Sequence, residues 1–459
     1  MRDLMRVLMA GVLSSFFSTA HLAAENELRQ CMEHQPRAQH DPLLGHWTGQ
    51  VVHGTKKWRI ELDVQASGAN QSVVALVDFL DLNAYGRRFS GSLCDSAFRL
   101  ERPQPSGIPI VFQGRVAGDS TSGTWQGFWE DAAFALRRTG PAPTPVTVQA
   151  IRFRNGDVEL RGSLFLPEGA GPFPALVEIH GGGAESRGAN ESKGLYFARH
   201  GVAVLTYDKR GVGESTGDWG IASLQDLAGD AAAAVRLLKA RSDINPASIG
   251  VDGYSQGGWI APITAIESAD VAFVVVGSAS GVNPMAQSIY QVRNEMRAAG
   301  DADSIIDLAV TLRERMYAAP SGPARREVSA DLQRYRGEPW FGRSSMPDSL
   351  SSEVLPGIRQ MFLFDPSSAW QRVHVPVLGY WGQADLHLPA ERSREIISHA
   401  LALGGNRDTT FVIYPEADHS MSRLTSGIGG WDFPRAYDTY SLILHWVERR
   451  FNRAAMRPS

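Results

Sequence analysis

Between Leu43 and Arg138 hydrophobic residues recur at every second position. Trp58, Ile60, Leu62 and Val64 alternate with Arg59, Glu61, Asp63 and Gln65, a period that places one set of side chains on each face of a strand. Shorter runs of the same kind recur at Trp47 and in 73–77, 89–93, 98–100, 110–112, 125–129 and 134–136, with Gly and Asn turns between them. This spacing predicts an antiparallel meander of about seven or eight strands, closed as a small barrel or stacked as a sandwich. Its aromatic residues, Trp125, Phe128 and Trp129 among them, belong to a core rather than to a ligand cage.

The pattern changes at Gly140-Pro141-Ala142-Pro143-Thr144-Pro145, where each proline fixes φ and opposes helix, giving a stiff, extended linker. Beyond it, short continuous apolar runs alternate with helical periods such as Leu224, Leu227, Ala231, Val235 and Leu238. That alternation predicts a doubly wound, mostly parallel α/β sheet. From about 283 to 370 it is interrupted: Ile289, Val292 and Met296, then Ile305, Leu308, Leu312 and Met316, recur at helical spacing, as a helical cap inserted between two strands would. Cap residues Trp340, Phe341 and Phe362 are expected to pack that insertion. The predicted organisation is a β domain over 24–140, a linker over 141–147 and an α/β domain over 148–459.

The candidate chemistry lies at the ends of the apolar runs. Ser248-Ile249-Gly250-Val251-Asp252 leads into Gly253-Tyr254-Ser255-Gln256-Gly257, a GxSxG sequence whose glycines permit the tight strand-to-helix turn that exposes a serine nucleophile. A strand at 376–381 ends in Gly382-Gln383-Ala384-Asp385, and one at 410–414 ends in Pro415-Glu416-Ala417-Asp418-His419. The order serine, acid, histidine makes Ser255 the candidate nucleophile, Asp385 the orienting acid and His419 the base. Asp418 and Glu416 are rival acids, but Asp418 is adjacent to His419 in sequence, which makes side-on contact awkward. His180-Gly181-Gly182-Gly183 follows the apolar strand at 173–179. One oxyanion donor is therefore expected from the amide of Gly182 or Gly183 and another from that of Gln256, with His180 a structural hydrogen-bonding residue. Asp208 and Arg210 are read as a structural ion pair, and His387 as a loop histidine without a metal-ligand set at the usual spacing.

From Val148 to about Phe451 the chain resembles an α/β-hydrolase of the bacterial secreted esterase and dienelactone-hydrolase-like or prolyl-oligopeptidase-like group. The resemblance is carried by the stretch from Val158 to Pro167, the His180 glycine loop, Tyr207-Asp208-Lys209-Arg210-Gly211-Val212-Gly213-Glu214-Ser215, the Ser255 elbow, the Asp385 turn and Asp418-His419-Ser420. It implies a serine hydrolase working through an acyl-enzyme on a small-molecule ester, a chemistry that requires neither metal nor organic cofactor. Many relatives carry serine in place of one oxyanion-loop glycine, where this chain has Gly182-Gly183. A peptidase or thioesterase would use the same triad, although the β domain is much shorter than the propeller that screens substrates in prolyl-oligopeptidases. A secreted binding protein that has lost activity is the alternative from another class.

Composition changes this picture little. The 459 residues are 43% hydrophobic and 20% charged with a net charge of −4, an ordinary globular balance that points to neither nucleic acid nor an anionic membrane surface. Met1, Arg2 and Arg6 precede an apolar stretch from Val7 to Phe17 and then small residues up to Ala23-Ala24. That is the form of a cleavable signal for secretion or export to the periplasm, expected over 1–23, with an apolar run too short to span a bilayer. The two cysteines, Cys31 and Cys94, are expected to pair in an oxidising compartment.

Overall fold

The computed structural model describes residues 42–451 except 67–71, 83, 104–108, 127–131, 142–145, 352–360, 424–434 and 437. The expected leader, Cys31, Phe128, Trp129 and most of the proline-rich linker lie outside the described residues. The chain divides into two compact units between Thr144 and Pro145.

The first unit is a closed antiparallel barrel. Its strands follow in chain order around the wall: β1 (Gly45–His53), β2 (Lys56–Ala66), β3 (Ser72–Phe79), β4 (Ala84–Cys94), β5 (Ala97–Arg102), β6 (Ile110–Ala117), β7 (Ser120–Gln126) and β8 (Ala132–Gly140). Closure pairs Val51 of β1 with Phe134 of β8, so neither terminal strand leaves an open edge. Every second residue of β2 from Trp58 to Val64 is buried, as the alternation requires. Phe112 lies at the centre, with its ring 5.3 Å from Phe89 and 5.4 Å from Phe134, and Trp125 packs beside it. These rings fill the interior as core. Cys94 is buried and disulfide-bonded.

The second unit is an α/β sandwich. A hairpin of β9 (Thr147–Asn155) and β10 (Val158–Leu166) opens the sheet and is followed by β11 (Phe173–Ile179), helix α1 (Glu191–Arg199), β12 (Ala203–Tyr207), α2 (Leu224–Lys239), β13 (Ile244–Tyr254), α3 (Gly257–Glu267) and β14 (Phe273–Gly277). The cap comprises α4 (Pro284–Ala298), α5 (Asp303–Ala318) and α6 (Gly322–Tyr335), and α7 (Pro366–Trp370) leads back to β15 (Val377–Gly382), α8 (Ala390–Leu403), β16 (Thr409–Tyr414) and α9 (Thr439–Phe451). The strand order is β16-β15-β14-β13-β11-β12-β10-β9, parallel from β16 through β12 and antiparallel at β10 and β9. β11, β12, β14 and β15 are almost wholly buried, which is why they read as continuous apolar runs rather than alternations.

Ser223 caps α2 through a reciprocal bond with Asp226, satisfying donors that a helix start otherwise leaves open. The cap has its own apolar centre, in which Val292, Met296, Leu312, Trp340 and Phe341 are buried, while Phe362 packs its ring on Tyr317. Among the described residues no helix is long and apolar enough to cross a membrane.

Candidate active site

Parallel strands with helical crossovers bring their carboxyl ends to one edge of the sheet, and this edge is where the candidate residues collect. β13 lies beside β11, and β11 beside β12. The loops after these three strands, carrying Ser255, Gly181–Gly183 and Lys209, are therefore neighbours in space despite their separation in sequence.

Ser255 has φ +54°, the left-handed region that a non-glycine residue adopts only when its surroundings enforce it. Its amide donates to the carbonyl of Gly277, 3.0 Å away. The flanking glycines are required by contact: a Cβ on Gly253 would stand 2.2 Å from the Gly257 carbonyl oxygen, and one on Gly257 would stand 2.8 Å from that of Ile179. The turn thus holds the serine out at the start of α3.

Ser255 Oγ lies 3.1 Å from Nε2 of His419, and His419 Nδ1 lies 2.7 Å from Oδ2 of Asp385. The Asp385 carboxylate is fully buried, and its other oxygen accepts the amides of His387 and Leu388 at 2.7 and 3.2 Å. Its orientation is therefore set before histidine arrives. The backbone of His419 is held as well, because its carbonyl accepts the hydroxyls of Tyr254 and of Ser278. Asp418 instead accepts the amides of Ser420 and Ser422, each at 2.9 Å, and shapes the turn that presents His419.

Among the described residues the amides of Gly182, Gly183 and Gln256 donate to no protein acceptor, whereas the amide of Gly181 is taken by Glu185. Gly183 has φ +90°, a conformation open to glycine. His180 is buried, and its Nε2 donates to the Tyr207 carbonyl at 2.5 Å. Burial lowers its pKa to about 4, so it is a neutral strut between β11 and β12.

Asp208 and Arg210 do not pair with each other. Arg210 makes a bidentate bridge to Asp230 on α2, while Asp208 accepts the amides of Arg187 and Glu214. Positions 208 and 210 lie just beyond the end of β12, where the chain turns and alternate residues face different neighbours, which a sequence pairing overlooks. His387 also differs from a plain loop histidine. Its ring packs against that of His419, tilted by 36° with centroids 4.3 Å apart, and its Nε2 lies 2.9 Å from Glu295 of α4. Asp385, His387 and His419 can present ligand atoms within 4.8 Å of one another, a set assembled by two separate loops and hence without any metal-ligand spacing in the chain.

Sequence reasoning missed two features. Lys209 is buried and donates to three acceptors on two loops. Beneath the site, Lys193 of α1 sits between Glu178 of β11 and Asp252 of β13, with Nζ 2.8 and 2.5 Å from their carboxylates. Burial is the largest influence on all three: it raises Glu178 to about 8 and raises Asp252, while for Lys193 the two acids outweigh it and stabilise the ammonium. The signal available was a charged residue inside each of two apolar strands, since such residues are buried only when partnered.

The family described as Hydrolase_4, serine aminopeptidase S33, matches residues 171–423, more than half of the chain. Esterase EstD of Thermotoga maritima is 24% identical over 270 residues, 57% of this chain and 58% of the esterase. Acyl-coenzyme A thioesterase 3 of Mus musculus is 28% identical over 29% of this chain and 30% of its own. The chain thus spans less than two thirds of the length of either relative. A carboxyl esterase structure from Bacillus coagulans superposes at a TM-score of 0.42 with 18% identity, covering 66% of this chain and 99% of that one. The chain therefore belongs to the Hydrolase_4, serine aminopeptidase S33, family, as an α/β-hydrolase domain preceded by an N-terminal β-barrel.

Proposed function

We propose that this protein cleaves carboxylic esters of small molecules through an acyl-enzyme, using Ser255, His419 and Asp385. The observation that carries the reading is the continuous relay from Ser255 Oγ to His419 to Asp385 at 3.1 and 2.7 Å. His419 takes the serine proton as Oγ attacks the carbonyl carbon, and Asp385 steadies the imidazolium that results. Negative charge developing on the carbonyl oxygen is met by the amide of Gln256 and by that of Gly182 or Gly183. His419 then returns its proton to the leaving alkoxide, and a water molecule repeats the attack on the acyl-enzyme with the same base.

Peptidase and thioesterase activities are the second reading, favoured by the family description and by the thioesterase relative. The ester reading is preferred on the esterase relative, which is matched over 57% of this chain against 29% for the thioesterase. We further propose that the chain is exported, on the strength of its N-terminal charge and apolar pattern.

The test is hydrolysis of a p-nitrophenyl ester series of increasing acyl length by the full protein beside Ser255→Ala. Turnover should fall by at least about 10⁴-fold in the variant. Equal rates in both proteins would sink the proposal. Serine-dependent cleavage of peptides or thioesters with none of esters would move the assignment to the second reading, and ligand binding without any serine-dependent turnover would favour a binding protein.

A further inference from the structure

Lys209 stands in none of the roles above, yet it is 2% exposed and spends all three ammonium hydrogens. Nζ donates to the carbonyl of Gly181 at 2.8 Å, to that of Gly183 at 3.1 Å and to Oε1 of Gln256 at 2.9 Å. Two of these acceptors lie on the glycine loop after β11 and the third on the elbow after β13. One side chain therefore ties together the two segments whose free amides face the reacting carbonyl. The amide nitrogen of the Gln256 side chain contacts the sulfur of Met361, in the stretch leading to α7, at 3.8 Å, so both ends of the side-chain amide have a partner.

The connectivity of the peptide group adds an electronic effect. The carbonyl of Gly181 and the amide of Gly182 belong to one peptide unit. An ammonium bound at the oxygen withdraws electron density from the nitrogen, making the N–H a stronger donor on its other side. Because Lys209 is buried, this polarisation acts with little solvent screening.

We infer that Lys209 is a positioning residue for ester hydrolysis, locking the glycine loop to the elbow and strengthening the Gly182 amide toward the developing oxyanion. The inference rests on the serine-hydrolase reading proposed above. The charged groups around Lys209 are Glu185 on the glycine loop, which attracts it, and Asp208 and Arg210 on its own segment; His180 is neutral, and Trp219 lies under the ammonium at 5.6 Å. Burial lowers the Lys209 pKa from 10.5 to about 8. The ammonium is then the dominant form below pH 8 and is lost as pH rises through it, so the arrangement should weaken on the alkaline side.

The experiment compares full-length wild type, Ser255→Ala, Lys209→Met and Lys209→Arg with one p-nitrophenyl ester, recording kcat, KM, melting temperature and the pH profile. Lys209→Met should lower kcat about 10- to 100-fold with KM within about twofold, and Lys209→Arg should recover part of the loss. Wild-type kcat should decline above pH 8 at steady KM. A folded Lys209→Met with kcat within about twofold of wild type, or a variant altered in KM alone, overturns the inference. Should Lys209→Met fail to fold, the wild-type profile decides: a flat kcat between about pH 7 and 9.5 overturns it, and an alkaline decline that Lys209→Arg abolishes upholds it. Wild-type turnover that Ser255→Ala retains removes the underlying reading and this inference together, whereas serine-dependent turnover indifferent to Lys209 removes this inference alone.

Discussion

Asp385 and Asp418 are both within reach of His419 in sequence, and their hydrogen bonds separate their roles. Asp385 turns one oxygen to Nδ1 of the histidine and the other to two backbone amides, while Asp418 spends its carboxylate on the turn. Asp385→Asn preserves size but gives the imidazole a donor where it needs an acceptor, favouring the wrong tautomer. Its kcat should fall by about 10⁴-fold. Asp418→Asn keeps an oxygen for the same amides and should stay within about tenfold of wild type, the difference being read in parallel ester assays. The reverse ranking would reassign the acid. These residues were legible in the sequence because their chemistry demands an order and a place at strand ends. Lys209 was not, although its motif was plain: nothing in a linear sequence says that β12 lies beside β11 on the side away from β13, which is what brings its side chain under the glycine loop.

At the level of elements, the strands carrying the glycine loop and the elbow are joined by more than their ladder. Lys193 of α1 binds Glu178, two residues before His180, and Asp252, three residues before Ser255. Lys193→Met would strand two carboxylates in a dry interior and should destabilise the α/β unit by roughly 3–5 kcal/mol, measured by chemical denaturation. The deficit should depend on pH. Both acids are raised by burial, so their protonated forms are the ones the folded state prefers. Without the ammonium that preference grows, so the part of the deficit that depends on Glu178 is absent while the acid is protonated in both folded proteins and opens as pH rises past about 8, where wild type ionises and the variant resists. A deficit independent of pH would contradict an electrostatic role. Period-two and apolar patterns exposed the strands themselves, but a charged residue within a strand does not name its partner, and that partner sits on a helix.

For the whole molecule, the sequence conveyed a β unit, then an α/β unit interrupted by helices, because each layer imposes its own hydrophobic period. It left barrel and sandwich open for the first unit. Strand alternation is the same in both, and only the pairing of β1 with β8 closes the wall. It also left open how the insertion meets the site, which the structure answers through Glu295 of α4, bound to a histidine whose ring packs against His419. The proposed ester cleavage requires Ser255 to form a covalent acyl-enzyme at this junction. The most direct measurement is mass spectrometry of the full protein after treatment with a fluorophosphonate ester, with the adduct located by peptide mapping. One adduct is expected, on the peptide containing Ser255, matched by loss of ester hydrolysis and absent from Ser255→Ala. Hydrolysis that persists with Ser255 unlabelled, or an inactivating adduct on another residue, would contradict it.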